Sequence, residues 1–377
     1  MDFSFTEEQK MIKDAVRDFM KKECPSDLIR EVEQDDKGYS RELWRKMAEL
    51  GWLGLIFPVE YGGSGGDEIG LVVLLEEIGR YLAPVPFLQT IILGGLSILY
   101  AGNEEHKREF LPKISNGELI LTMALTERDL SYDATGINVR AIRKGKNFLI
   151  NGAKLFVPYA NIADYIVCAT RTKDVKKKEN GVTLFLIDGK NPGVSCTELI
   201  TMAFDKQYEV VFEQAKISEG NMVGGYGKGW EIIKRVLEQA TIAQCALMIG
   251  GAEMVLEMAV AYAKKRTQFG HPIGSYQAIQ HRCANMKIDL DGARFATYES
   301  AWRLDRGLPC TKEISVAKAW VNQSYNRICA NGHQIFGGTG LMKEHDMQLY
   351  SRRGKAAEFL WGDTSFHREI VAQQLGI

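Results

Sequence analysis

Val139-Arg140-Ala141-Ile142-Arg143-Lys144-Gly145-Lys146-Asn147-Phe148-Leu149-Ile150-Asn151-Gly152 is the stretch in which this sequence changes character. Its first five residues alternate apolar and charged, the period of a half-buried strand. Gly145-Lys146 reads as a hairpin turn, and Phe148-Leu149-Ile150 resumes extended chain. Further on, Tyr165-Ile166-Val167-Cys168-Ala169 and Val182-Thr183-Leu184-Phe185-Leu186-Ile187 are rich in β-branched and aromatic residues and predict two more strands. Between them Lys173, Lys176, Lys177 and Lys178 read as a solvated loop tip.

Outward from this β region the pattern is helical on both sides. Thr6-Glu7-Glu8-Gln9 fits a capping box, in which the Thr oxygen caps the helix and the Gln three residues later reaches back. Met11, Ile12, Ala15, Val16, Phe19 and Met20 follow at helical spacing. Residues 43–50 form another amphipathic stretch ending at Gly51, Pro58 and Gly62-Gly63 mark a loop, and residues 71–78 are apolar enough for a buried helix. On the other side, residues 230–266 contain no proline, and 272–304 and 311–335 predict two more long helices. Gly224-Gly225-Tyr226-Gly227-Lys228-Gly229 lacks the βαβ setting of a dinucleotide fingerprint and reads as a loop into the first of these helices. The order helical, β, helical divides the chain into 1–118, 119–220 and 221–377.

With 377 residues and 45% hydrophobic content, the chain can bury a large core. Its 47 basic and 48 acidic side chains leave a formal net charge of −1, so no nucleic-acid partner is expected. Seven scattered cysteines without a CxxC pair read as reduced thiols, buried, in a cytoplasmic protein. Six histidines without HxxxH or HExxH spacing predict no metal site. No apolar run approaches the ~20 residues of a membrane span. Met1-Asp2-Phe3-Ser4-Phe5 lacks the basic region and apolar stretch of a secretory leader, and a cytoplasmic location is the expectation.

Five segments, in order, carry a resemblance. They are Leu50 to Leu55 with Pro58-Val59-Glu60-Tyr61-Gly62-Gly63; Leu125-Thr126-Glu127 with the turn through Asp133; Asn151-Gly152-Ala153-Lys154-Leu155-Phe156-Val157; Arg266-Thr267-Gln268-Phe269-Gly270 with Ile273 and Gln277; and Gln334-Ile335-Phe336-Gly337-Gly338-Thr339-Gly340. Together they resemble the acyl-CoA dehydrogenase family over essentially the whole chain. The resemblance implies an α+β fold with an N-terminal helical domain, a β-barrel-like middle domain and a C-terminal four-helix bundle. It also implies FAD between subunits of a homo- or hetero-tetramer, an acyl-CoA substrate, and an electron-transferring flavoprotein as partner. Carried over one by one, Leu125, Thr126, Phe156 and Val157 would face the flavin of their own chain. Arg266, Phe269, Gln334, Gly337 and Gly338 would reach the FAD of a neighbouring chain, and Thr364 would lie near the adenine-diphosphate side. The residue types suit these roles. Adjacent glycines let backbone approach a pyrophosphate, a guanidinium neutralises phosphate, and a planar side chain can flank a flavin ring.

The reaction so implied removes an α-proton from an acyl-CoA thioester as hydride leaves the β-carbon for flavin N5, and it needs a carboxylate base. One usual site of that base is a Tyr-Glu-Gly-Thr segment; here Trp361-Gly362-Asp363-Thr364 stands there, with Gly362 in place of Glu. The other usual site lies 26 residues before the signature arginine, and here it is Ala240. Asp363 and Glu238 are the nearest candidate acids. Asp363 could equally be a helix cap or a charge partner near His367 and Arg368, and Glu238 a solvated helix face or a CoA contact. Pro158 also departs from the family, where a Thr is usual. Three readings follow: an active dehydrogenase with a relocated base, a base-lacking subunit that completes a partner's FAD site, and a family-fold flavoprotein with oxygen-dependent chemistry. The Trp-Gly-Asp ending resembles the small subunits of pimeloyl-CoA dehydrogenase-like enzymes. Gly362→Glu is expected to raise activity if the pocket is otherwise intact.

Overall fold

The computed structural model describes residues 5–377. The chain begins with helices α1 (Glu7–Glu23), α2 (Ser26–Gln34), α3 (Arg41–Glu49), α4 (Glu68–Arg80), α5 (Leu96–Ala101) and α6 (Glu104–Ser115). Strands follow: β1 (Leu121–Ala124), β2 (Arg140–Lys144), β3 (Asn147–Pro158), β4 (Tyr165–Arg171), β5 (Val182–Asp188), β6 (Val194–Leu199), β7 (Gln207–Ser218) and β8 (Met222–Val223). The chain then returns to helix with α7 (Gly229–Lys265), α8 (Gln277–Asp305), α9 (Thr311–Phe336), α10 (Met347–Glu358) and α11 (Thr364–Leu375). The predicted capping box is present, with Thr6 Oγ1 accepting from Gln9 N and Gln9 Oε1 accepting from Thr6 N. The predicted hairpin pairs Lys144 with Asn147 across Gly145-Lys146.

Contacts gather the chain into two units. The sheet unit comprises Glu31–Gly66 and Pro84–Ala240. Its sheet has eight strands among the described residues, in the order β6-β7-β3-β2-β4-β5-β8, with β1 added in parallel to β4. The barrel expected of the middle region is not formed, because this path has two free ends. At one end β6 is exposed along most of its length, so it has no apolar face to close onto a partner. At the other end β8 is two residues long. Only one residue pair, Arg140 with Arg171, joins β2 to β4. The core of this unit, with the Phe148 and Phe185 rings packed at a tilt 4.8 Å apart, supplies cohesion that the ladder lacks at that seam. Cys196 on β6 is exposed, against the expectation of uniformly buried thiols.

The helical unit comprises the described residues up to Arg30, Asp67–Ala83 and Thr241–Ile377. Five helices make its C-terminal part instead of four, since α10 and α11 lay outside the predicted long helices. Its core runs through Met248, Ile249 and Val255 of α7, Met286 and Leu290 of α8, and Val321, Tyr325 and Ile328 of α9. Helix α4 is buried from Gly70 to Arg80 and carries two carboxylates within that stretch. Both are matched: Glu76 by Arg294 at 2.6 Å and the Tyr298 hydroxyl at 2.9 Å, Glu77 by Arg17 at 2.6 Å. By length and composition α7 passes the test for a membrane-crossing helix, which the sequence reading did not anticipate. Of its most apolar window, 56% is buried inside the protein, as expected of a core helix.

Candidate active site

In the sheet unit, β3 carries the first group of site residues. Its pairing with β7 steps from Lys154 opposite Val210 to Val157 opposite Tyr208, so β3 holds one extra residue there. This is a β-bulge, and it re-aims the side chain at the kink. Phe156 takes up the kink with φ of 52°, a left-handed value that a bulky residue keeps only when its surroundings enforce it. Its ring is consequently half exposed, while the side chain of Val157, expected beside it at the flavin, is buried in the sheet core.

The loop after β1 is tied to this bulge. Leu155 N donates to the Thr126 carbonyl at 2.9 Å. Lys154 Nζ, fully buried, donates to the Leu125 carbonyl at 3.0 Å and to Glu127 Oε1 at 2.7 Å. Glu127 also accepts from the backbone of Asn138 and Val139, so the buried charges are matched and hydrogen-bonded. Leu125, Thr126 and Phe156 thus stand together, and the pair that fixes them, Glu127 with Lys154, carried no role in the sequence reading.

In the helical unit, Arg266 N donates to the Tyr262 carbonyl at 2.8 Å where α7 ends. A short hairpin follows, β9 (Thr267–Gln268) with β10 (His271–Pro272), and Phe269-Gly270 is its two-residue turn. Both turn residues are left-handed, φ 53° and 84°, a type I′ pattern that favours Asn-Gly. Phe269 at that tip is 91% exposed. The glycine turn lies alongside: the Tyr262 ring is 5.1 Å from that of Phe336, and its hydroxyl is 3.4 Å from Thr339 Oγ1. Arg266, Phe269, Gln334, Gly337 and Gly338 are all exposed. A Cβ built on Gly337 or Gly338 would meet no atom of the chain within 4 Å, so the space over the turn is open to a ligand.

These features fit FAD. Phe156 offers a bared ring beside loop main chain, suited to an isoalloxazine. Arg266 offers an exposed guanidinium one helical turn beyond Tyr262, which packs on the glycine turn, and guanidinium and open glycine backbone both suit a pyrophosphate.

Residues 361–364 are the segment in which the sequence reading expects one usual base site, with Gly362 in place of Glu. Trp361 and Gly362 are both left-handed, φ 57° and 120°. Asp363 is the N-cap of α11, its Oδ1 accepting from Phe366 N at 2.8 Å, and Thr364 opens the helix half-buried. Behind the turn, His367 is 4% exposed, with Nδ1 3.2 Å from Ser315 Oγ on α9. Its Nε2 has no hydrogen-bond partner among the described residues. A Cβ on Gly362 would stand 2.8 Å from that Nε2 and closer still to the Phe366 ring. Burial pushes the His367 pKa down to about 4; the Lys318 charge adds to this, and the Trp361 carbonyl and Asp363 oppose it. Burial likewise lowers Lys318 to about 8, although its Nζ donates to Asn322 Oδ1 at 3.0 Å and to the Ala357 carbonyl at 2.8 Å. On α7, Ala240 is wholly buried and Glu238 half-buried.

A cavity of about 160 Å³ also opens in the helical unit. Ile78, Leu82, Leu247, Met248 and Ala357 line it, with Gln244, Tyr325 and Arg353 as polar residues. The cluster of Ser315, Lys318 and His367 was not legible as a site. His367 entered the sequence reading only as a neighbour of Asp363, and its contact with α9 is purely tertiary.

Comparison with known proteins agrees with this geometry. The profile described as "Acyl-CoA dehydrogenase, N-terminal domain" matches residues 6–118, the middle-domain profile 122–215, and the C-terminal-domain profile 227–376. The chain is 33% identical to "Probable acyl-CoA dehydrogenase YngJ" of Bacillus subtilis, covering 100% of both chains. It is 32% identical to "Caffeyl-CoA reductase-Etf complex subunit CarC" of Acetobacterium woodii, over 98% of this chain and 99% of that one. Among solved structures, butyryl-CoA dehydrogenase from Megasphaera elsdenii superposes with a TM-score of 0.94 at 29% identity, covering 100% of both. The chain therefore belongs to the acyl-CoA dehydrogenase family, FAD-dependent oxidoreductases that act on the CH–CH bond of an acyl-CoA thioester by α,β-dehydrogenation with hydride transfer to the flavin.

Proposed function

We propose that this chain is a base-lacking member of its family and works in a hetero-oligomer with a related subunit that supplies the carboxylate. The observation that carries this reading is the state of the two usual base positions. Gly362 sits in a backbone conformation that disfavours any side chain, and Ala240 is wholly buried. Asp363, the nearer candidate acid, spends its carboxylate on the cap of α11. Glu238 is the remaining acid for an enzyme that acts alone, and that is the second reading.

Leu125, Thr126 and Phe156 would hold the flavin of their own chain, with Val157 anchoring the bulge and Thr364 near the adenine-diphosphate side. Arg266, Phe269, Gln334, Gly337 and Gly338 would reach the FAD of a neighbouring subunit. The turn at residue 362 keeps a peptide N–H for the thioester oxygen, and hydrogen bonds there stabilise enolate character. The apolar cavity walled by Leu247, Met248 and Ala357 would take acyl chain. An electron-transferring flavoprotein is the proposed electron acceptor, a cytoplasmic location is proposed, and the division 1–118, 119–220 and 221–377 is the proposed domain plan. A missing general base costs roughly 10²–10⁴ in rate.

Anaerobic mixing with acyl-CoA tests this reading. The pure homomer is expected to reduce its flavin slowly on straight-chain acyl-CoAs, and the complex co-purified from the native host rapidly. Brisk reduction by the homomer, abolished in Glu238→Gln, would establish the second reading instead. Peroxide as the main product in air would point to oxygen-dependent chemistry.

A further inference from the structure

Gly362 is enclosed on the side where an L side chain would leave the backbone. Phe366 and His367 both belong to α11, which begins two residues after Gly362. Phe366 is fixed through its own N–H, which the Asp363 cap accepts at 2.8 Å. The backbone N–H of His367 donates to the Asp363 carbonyl at 3.1 Å, and its Nδ1 lies 3.2 Å from Ser315 Oγ. Trp361 holds left-handed backbone between these anchors, a conformation that a bulky residue keeps only where its surroundings over-determine it, and Gly362 follows at a φ that glycine adopts freely. A nearly buried imidazole whose polar contacts are the Ser315 hydroxyl and the weakly engaged Trp361 carbonyl is a costly packing element. An apolar side chain would fill the same space without that cost, so the ring's bond to Ser315 needs a purpose.

We infer that His367, held by Ser315, is a positioning residue that fixes residue 362 as a side-chain-free backbone donor, so that this turn presents a peptide N–H to the thioester and cannot present a carboxylate. The inference rests on the proposed reading in which residue 362 faces the thioester oxygen. His367 itself touches neither substrate nor flavin. It acts through the backbone of 361–363, and Ser315 sets the ring angle.

The test uses the FAD-loaded protein, with its co-purified partner if it has one, and a non-reacting acyl-CoA thioether or 3-ketoacyl-CoA for binding. Infrared spectra of a ¹³C-carbonyl acyl-CoA bound to the protein report polarisation of the thioester. Wild type is expected to shift the carbonyl stretch to lower frequency. His367→Ala and Ser315→Ala are expected to lose most of that shift and to bind the 3-ketoacyl-CoA roughly tenfold more weakly, the scale of one lost hydrogen bond. Thioether binding and flavin content should stay unchanged. His367→Asn can keep the Ser315 bond and should recover much of the shift. If His367→Ala does not fold, Ser315→Ala and His367→Asn carry the comparison. An equal carbonyl shift in wild type and Ser315→Ala overturns the positioning role and leaves the reading of residue 362 intact. No shift in wild type overturns both.

Discussion

The Nε2 atom of His367 stands 2.8 Å from the point that a Cβ on Gly362 would occupy. The Phe366 ring also intrudes on that space, closer still, and the φ of 120° at residue 362 disfavours any side chain.

This contact reverses the sequence-based expectation for Gly362→Glu. Left-handed backbone at a non-glycine residue costs about 1–3 kcal/mol, and overpacking adds about 1–3 kcal/mol. The variant should therefore lose about 2–6 kcal/mol of stability and gain no activity. Urea denaturation beside anaerobic flavin reduction checks this; wild-type stability with faster reduction would refute it.

His367 also makes stability fall with acidification. In the unfolded chain the imidazole titrates near its ordinary 6.5, and in the fold burial holds it to about 4. Between these values the unfolded chain takes up a proton that the folded chain refuses. The contribution is complete above the higher value and is lost as pH falls through the lower one. Its size is about 3 kcal/mol. Lys318, Asp363 and Ser315 surround the ring, so the comparison is wild type against His367→Asn, and the variant should lack this part of the acid sensitivity. Identical pH profiles would place the acid sensitivity elsewhere.

Phe156→Gly should separate stability from cofactor binding. Glycine relieves the left-handed strain but adds unfolded-chain entropy of about 0.5–1 kcal/mol, so the flavin-free protein should stay within about 1 kcal/mol of wild type. Flavin affinity should fall because the bared ring is gone. Thermal midpoints of stripped protein and FAD titration by fluorescence measure the two effects. Unchanged FAD affinity would remove Phe156 from the proposed flavin contacts.

Arg266→Ala and Phe269→Ala should lower FAD content and assembly together. Both residues are exposed, and the left-handed hairpin tip holds Phe269 outward. Sedimentation velocity and flavin absorbance of the purified variants provide the readout. Full flavin content with intact assembly would show that neither residue reaches a neighbouring subunit's cofactor.

The order of helical, β and helical regions was legible in local patterns because those patterns have short-range causes. Thr6 and Gln9 specify a capping box within four residues, and Gly145-Lys146 specifies a two-residue hairpin turn. Edge strand β6 and helices α10 and α11 were not legible. β6 has no buried face to impose alternation, and α10 and α11 are short helices flanking the irregular 359–363 segment. The closed barrel failed for a related reason, since closure depends on partners at both ends of the sheet and neither β6 nor β8 can supply one.

By itself the sequence determined that glycine and alanine stand at residues 362 and 240, the positions proposed for the base, and which motifs line up in order along the chain. Only the tertiary structure decided what those residues can do. It assigned the Asp363 carboxylate to a helix cap, buried Lys154 against Glu127 beneath the Phe156 bulge, and set the His367 ring where a side chain on residue 362 would begin. Each of these is a contact or backbone angle enforced by packing; local sequence records the residue and leaves open the space around it.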